Sequence, residues 1–369
     1  MIARDVGILG TGIWEAPPVG NEAFAFLAEQ HAAVKDPFRG ARDDDGAVHV
    51  AGMVFRGADD ARTLAALERS FSDPFRGTRR RRIFPRELRT SEAEIAAAKA
   101  ALADARLDPG DVDAVLVQSF LPDEMHPKNA ALVAQGLGIR NAACFEVDSI
   151  CNSVVTQLSV AAAQVAAGFA RHVLCVQSVA YSRVTDPGAS STVQEGDGAG
   201  AFVVGASKGA SVAFSFRTDG RLHGAIRLGW DVPSGAPRRA YWERSQEQLL
   251  IRFDPALQPA VMGELRQYAR EVCGEALARA ELTVEELDLF VSHQPMSWYA
   301  AFMEDSLGLR DGISFDTFEE YGSINSVSLS ASLHHARRAG RVREGSRVLL
   351  FGPAAGYTYA AAAVRWGAR

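Results

Sequence analysis

Residues 98–119 read AKAALADARLDPGDVDAVLVQS and residues 273–294 read CGEALARAELTVEELDLFVSHQ; the two align without a gap, 175 positions apart. Ala101 matches Ala276, Leu102 matches Leu277, Ala105 matches Ala280, Leu107 matches Leu282 and Asp113 matches Asp288. Each segment reads as an alanine-rich helix, a polar turn and an apolar strand. At the same separation His172-Val173-Leu174 faces Arg347-Val348-Leu349. One supersecondary unit therefore occurs twice, which predicts a duplicated α/β architecture. The boundary is expected at Ser207–Gly209. That gives an N-terminal half, 1–206, with an insertion over about 20–76, and a C-terminal half, 207–369.

The duplication brings particular residues together. The strand that ends in Gln118 in the first half ends in His293 in the second. An apolar strand, Ala142–Val147, leads through FEVDSICNSV (145–154) into a helical pattern over Val154–Ala170, and its junction SICNSV (149–154) recurs as SINSVS (323–328), one residue shorter where Cys151 stood. If the halves pack about a pseudo-twofold axis, Cys151, His293 and the turn Ser323–Asn325 meet at their interface. A cysteine at a helix start feels the positive end of the helix dipole, which favours the thiolate. Backbone N–H groups there can hold an oxyanion. The alternative is a plain buried cysteine. His293, at a strand end before Gln294-Pro295, is placed for a general base or an oxyanion donor. The small-residue turn Phe351–Tyr357 lets backbone amides approach a substrate.

Elsewhere the chain excludes more than it adds. Its 369 residues, 47% hydrophobic and 23% charged with a net charge of -6, suit a globular protein of two domains and give no reason to expect nucleic acid as a partner. Cys144, Cys151, Cys175 and Cys273 lie in apolar patterns without metal-site or disulfide spacing, so reduced thiols in a cytoplasmic protein are expected, with no metal. No run suits a membrane span. Gly10-Thr11-Gly12 lacks the rest of a phosphate loop. Ser91-Glu92-Ala93-Glu94 reads as a capping box opening a helix over Ile95–Ala105, and Glu195–Gly200 as a tight glycine turn into the strand Ala201–Gly205, where the glycines let backbones cross closely. Helical stretches are expected at Ala23–Ala33 and Ala61–Phe71, with a polar segment at Arg39–Gly46. The run Arg79–Arg82 is either a solvated basic edge or a landing patch for an acidic carrier protein or phosphorylated cofactor. Asp123-Glu124 reads as a solvated pair in a loop. His126 lies in the same loop, and His172, His334 and His335 carry no functional pattern.

From about Gly77 onward the chain resembles the thiolase-fold condensing enzymes, most closely the ketoacyl-ACP synthase III branch. The blocks that carry the resemblance are GTRRRRI, LGIRNAACFEVDSICNSV, EGDGAGAFVV, FVSHQP, EEYGSINSVSL and FGPAAGYTYAAAAVRW, in that order. It implies a duplicated thiolase-like fold of two pseudo-twofold-related βαβ halves, layered α/β/α/β/α. It also implies that Cys151 accepts an acyl group from a coenzyme A or carrier-protein thioester, with no bound cofactor. His293 would be the catalytic histidine, and the amides of Cys151 and Ala355 the oxyanion hole. The family's usual state is a homodimer in which a loop residue, by position His126, reaches the partner's pocket. The chain departs from the family at three places. Ser323, with Asn325 two positions on, stands where an asparagine follows Tyr-Gly; Met296 replaces an asparagine; and the arginine before Thr-Gly-Ile is altered around Phe75–Thr78. These departures suit a specialised relative in secondary metabolism. Ser323 leaves Claisen-type condensation and acyl transfer to an alcohol or amine both open. A non-catalytic partner subunit is the reading from another class, and retention of Cys151 and His293 speaks against it.

Overall fold

The structure, a computed structural model, describes residues 2–14, 17–26, 43, 46–50, 53–57, 59–186, 190–230, 240, 243 and 248–368. In chain order the elements are strand β1 (Ile2–Ile13), helix α1 (Ala61–Ser72), α2 (Thr90–Ala105), β2 (Ala114–Ser119), α3 (Ala130–Leu137), β3 (Ala143–Glu146), α4 (Ser153–Ala166), β4 (His172–Ala180) and the long β5 (Asp197–Thr218). A hairpin of β6 (Ile226–Trp230) and β7 (Leu249–Phe253) follows, then α5 (Gln258–Arg279), β8 (Leu289–Ser292), α6 (Tyr299–Leu307), α7 (Phe318–Tyr321), α8 (Val327–Arg338), β9 (Arg347–Ala354) and β10 (Thr358–Arg365).

The same strand order occurs twice. In the first half β3, β2, β4, β5 and β1 lie side by side; β2 is parallel to β3 and β4, and β5 runs antiparallel to its neighbours. In the second, β8, β9, β10 and the end of β5 repeat the pattern, with β10 as the antiparallel member. The place corresponding to β3 is reduced to one parallel bridge between Phe290 and Ser314. Strand β5 serves both halves: Asp197–Gly205 pairs with β4, and Ser211–Thr218 pairs with β10. The repeat persists in the hydrogen bonds. Asp113 N–H donates to His172 O at 3.0 Å, and Asp288 N–H donates to Arg347 O at 2.9 Å. Both carboxylates then accept from an arginine guanidinium, Arg171 in one half and Arg347 in the other.

Because side chains alternate across a strand, each sheet half presents two apolar faces. Val115, Val117, Leu174, Val176, Ala201 and Val203 pack outward on α2 and α3. Leu116, Val173, Cys175 and Phe202 point inward, where Val154, Val155 and Leu158 of α4 meet Leu329 and Leu333 of α8. On the far side of these central helices lie Val291, Val348, Leu350 and Ala362, while Leu349, Phe351, Ala361 and Ala363 back onto α5 and α6. Five layers alternate, α/β/α/β/α, with α4 and α8 in the middle. Their N-terminal ends are where the two halves can build a site.

Several local expectations are corrected. Helix α2 opens at Thr90, and the carboxylate that caps it is Glu92, accepting from Arg89 N–H at 2.7 Å. Glu94 lies inside instead, accepting from Ser119, Ser178 and Asn129, and burial pushes its carboxyl up to about 7. Asp123 is not solvated; its carboxylate accepts from the N–H and hydroxyl of Ser91 at the start of α2. The glycines expected to turn at 195–200 run straight, because Gly196–Gly200 lie in or beside β5 where the second half crosses closely. A Cβ at Gly200 would come within 2.2 Å of Ser330 Oγ, and one at Gly196 within 2.3 Å of Tyr321 O. The basic run is not a uniform edge. Arg79 and Arg80 pair with Glu320, whereas Arg81 is fully buried over the Phe24 ring, with Asn21 and Val193 O as acceptors. Arg82 lies over Tyr321 and donates to Glu320 O. Of the helix expected over Ala23–Ala33, a short 3-10 turn, Asn21–Phe24, is described; Ala28–Ala33 and most of Arg39–Gly46 lie outside the described residues.

Candidate active site

Cys151 sits in a 3-10 turn, Ile150–Asn152, between β3 and the first turn of α4. Ile150 takes a left-handed backbone, φ +56°, a conformation costly for a β-branched residue and found where surroundings enforce it. The enforcement is local: Ile150 N–H donates to Asp148 Oδ1 at 2.7 Å, Ser153 Oγ donates to Ile150 O at 2.7 Å, and Ser149 N–H donates to Ser153 Oγ at 3.0 Å. The expected thiolate is corrected here. Cys151 precedes the α-helical turns of α4, and burial pushes its thiol up to about 12; the Ala355 N–H directed at the sulfur opposes that rise only in part. The resting group is a neutral thiol, so attack requires a base.

His293 follows the last residue of β8 and is buried. Its N–H donates to Phe351 O at 2.9 Å, which ties it to the neighbouring strand. Its Nδ1 lies 3.0 Å from Asn325 O. A carbonyl oxygen only accepts, so Nδ1 carries the proton and Nε2 of the neutral ring holds a lone pair. Burial holds the ring's pKa down at about 4, and the Asn325 carbonyl opposes this weakly. Around neutral pH His293 is therefore an uncharged base.

The turn Ser323–Asn325 divides into two roles. Ser323 is fixed by its backbone, N–H to Gln194 O at 2.6 Å and O from Gly196 N–H at 3.0 Å, and it lines the cavity. Asn325, at φ +49°, gives its carbonyl to His293. Its side-chain amide donates to the Tyr181 hydroxyl at 2.9 Å, and its Oδ1 accepts from Ser326 N–H at 2.6 Å. The Asn325 side chain thus commits its oxygen and one of its two N–H bonds to neighbours. Asn152, its counterpart in the other half, donates to Thr358 Oγ1 at 3.0 Å.

Cys151, His293, Ser323, Asn325 and Ala355 line one cavity of about 400 Å³. Its far wall is apolar, built from Ile226 and Leu228 of β6, Ile251 of β7 and Val261, Met262 and Leu265 of α5. Such a wall accommodates an aliphatic acyl chain. The sequence pattern did not single out the β6–β7 hairpin or Tyr181, since neither lies in a repeated segment. His126 is exposed in the loop between β2 and α3 and lines no part of this chain's cavity. Three other histidines are structural: His172 bonds Asp111 O, His334 meets Thr11, and His335 meets the Tyr321 hydroxyl. Among the described residues no group of acidic, histidine and cysteine side chains could hold a metal ion, and no helix is long and apolar enough to cross a membrane.

A five-layered duplicated α/β fold with a cysteine at a strand-to-helix junction of one half and a histidine at a strand end of the other defines a thiolase-fold condensing enzyme. Family models described as 3-oxoacyl-[acyl-carrier-protein (ACP)] synthase III and its C-terminal part match residues 145–220 and 277–366. The chain is 33% identical over 288 residues to the beta-ketoacyl-[acyl-carrier-protein] synthase III 3 of Streptomyces coelicolor, covering 76% of this chain and 83% of the relative. It is 32% identical to the corresponding synthase of Bordetella petrii, over 78% of this chain and 85% of that one. The chain belongs to the beta-ketoacyl-[acyl-carrier-protein] synthase III family. The crystal structure of 3-oxoacyl-(acyl carrier protein) synthase III from Pseudomonas aeruginosa superposes with a TM-score of 0.74 at 25% identity over 99% of both chains. OleA of Xanthomonas campestris shares the fold, with a TM-score of 0.73 at 21% identity over 99% of this chain and 98% of that one.

Proposed function

We propose that Cys151 carries the acyl group in a two-step, ketoacyl synthase III-type transfer. The acyl donor is a coenzyme A or carrier-protein thioester. In the first step His293 Nε2 takes the thiol proton as Sγ attacks the thioester carbonyl. The N–H groups of Ala355 and Cys151 hold the oxyanion, and the departing thiolate takes the proton back. No bound cofactor is required. In the second step a malonyl-type thioester loses carbon dioxide and its enolate carbon attacks the acyl-enzyme, forming a carbon–carbon bond. The observation that carries this reading is the convergence of Cys151, His293 and the Ala355 amide on one apolar cavity.

A second reading, acyl transfer to a hydroxyl or amine, is favoured by one observation. The Nδ1 bond to Asn325 O leaves Nε2 as an acceptor, the arrangement a base needs for an incoming O–H or N–H. Supplying the pre-acylated protein with a malonyl thioester, or with a panel of alcohols and amines, separates the two. Condensation gives a 3-oxoacyl thioester and carbon dioxide; the alternative gives an ester or amide with no carbon dioxide.

The division into 1–206 and 207–369 assigns the nucleophile to one half and the base to the other. We also read the working unit as a homodimer. Strand β3 is an edge with Phe145 exposed, a feature a second copy would cover. In that assembly His126 is the residue to examine for a reach into the partner's cavity.

A further inference from the structure

Tyr181 opens the 3-10 turn that follows β4. Its ring packs edge-on against Phe120, with 5.2 Å between centroids. Phe120 is itself tied to β4 through its N–H on Ser178 O at 3.1 Å. The ring is therefore fixed, and it lines the same cavity as Cys151, His293 and Ser323. The phenol oxygen accepts from Asn325 Nδ2 at 2.9 Å. A tyrosine hydroxyl also has one proton to give. Among the described residues no group accepts it, so it is left for a ligand in the cavity. Burial raises the phenol's pKa well above its ordinary value, and the nearby Cys151 sulfur adds to the rise, so the proton stays in place.

Condensation needs such a donor. Breaking the bond between the malonyl carboxylate and its neighbouring carbon releases carbon dioxide and leaves the electron pair in an enolate, whose oxygen gathers negative charge. His293 is poorly placed to meet that charge in the acyl-enzyme, because its single N–H is on Nδ1 and directed at Asn325 O. Asn325 Nδ2 gives one of its two N–H bonds to Tyr181 and so holds the phenol in place.

We propose that Tyr181 is a catalytic hydrogen-bond donor of the second half-reaction, its hydroxyl binding the carbonyl oxygen of the incoming malonyl-type thioester as that oxygen takes up enolate charge, with the Ser323 hydroxyl as the second donor. The proposal rests on the reading of Cys151 as the acylated residue. The enolate carbon then bonds to the acyl carbon and the Cys151 sulfur leaves as thiolate, taking one proton from solvent. Tyr181 keeps its proton throughout, and Asn325 acts as the residue that positions it.

The test is Tyr181→Phe, which keeps the ring and its contact with Phe120. Two rates are measured: loading of Cys151 from an acyl-coenzyme A by intact-protein mass, and release of carbon dioxide when the loaded protein meets malonyl-coenzyme A. Loading is expected within about twofold of the wild type while decarboxylation falls about a hundredfold, in kcat rather than KM, the effect typical of removing one oxyanion donor. Normal loading also shows that the variant is folded. Decarboxylation within about threefold of the wild type at normal loading overturns the proposal and leaves the acyl-enzyme reading intact. Equal loss of both rates overturns it too, as the sign of a packing role. A wild-type protein that never loads removes both readings.

Discussion

The two turns that lead into the central helices, Ser149–Val154 and Ser323–Val327, belong to one repeated unit and do different work. Each carries a non-glycine residue with a left-handed backbone, Ile150 at φ +56° and Asn325 at φ +49°. Each leads into a central helix, α4 or α8; in the first an asparagine, Asn152, lies two residues after the bend, and in the second the asparagine, Asn325, is the bend itself. In the first junction one extra residue, Cys151, is set into the turn, and Asn152 reaches across to Thr358 in the other half. In the second no residue is inserted, and Asn325 organises its surroundings instead: its carbonyl fixes the His293 tautomer and its amide fixes Tyr181. One junction supplies the reacting atom and the other sets the protonation and hydrogen-bond geometry around it. Duplication thereby gives a site that neither half contains alone.

The largest effect that sharpens this division is expected at His293. Replacing it with alanine removes the base that a neutral thiol needs, and acyl loading of Cys151 should fall about a hundredfold to ten-thousandfold. A loss below about tenfold would mean the thiol ionises without it. The wild type adds a check in pH. Since the ring's pKa is held at about 4, the acid limb of the loading rate belongs near pH 4, not at the ordinary histidine value of 6.5. The same shift affects stability. Between pH 6.5 and about 4 the unfolded chain takes up a proton that the folded ring refuses, so this group's contribution falls as pH drops through that window and is constant above it. A loading limb at 6.5 would show that His293 is solvated.

A smaller effect belongs to Asn325. Asn325→Gly tolerates the positive φ and keeps the backbone carbonyl on His293, but releases Tyr181. Loading should be unchanged, and the second half-reaction should slow about threefold to tenfold, the worth of one hydrogen bond. If loading falls as well, the amide and the carbonyl act together and the division drawn above fails.

Much of this arrangement was legible in the chain itself. The 175-residue repeat gave the architecture because matched helix–turn–strand segments must bury matched faces; Cys151 stood in one repeated junction and His293 at the end of one repeated strand. What escaped the sequence depends on long-range packing. Glu94 looked like a cap and is a buried carboxyl, because Ser119, Ser178 and Asn129 come to it from other elements. Gly196–Gly200 read as a turn whose glycines let backbones cross closely; the close crossing is present, against Tyr321 and Ser330, and the turn is not. Arg81 looked solvated and is buried on Phe24, a contact between segments some 57 residues apart. Tyr181 carried no signal at all. It matters through its distance to Asn325, and sequence spacing does not encode that contact.

The most direct measurement is the intact mass of the protein after exposure to a panel of acyl-coenzyme A and acyl carrier-protein thioesters, followed by peptide mapping. The account predicts a single acyl addition on the peptide containing Cys151, discharged when the second substrate is supplied, and no addition to Cys151→Ala. Addition that persists in Cys151→Ala, or no addition to the wild type from any donor, would contradict it.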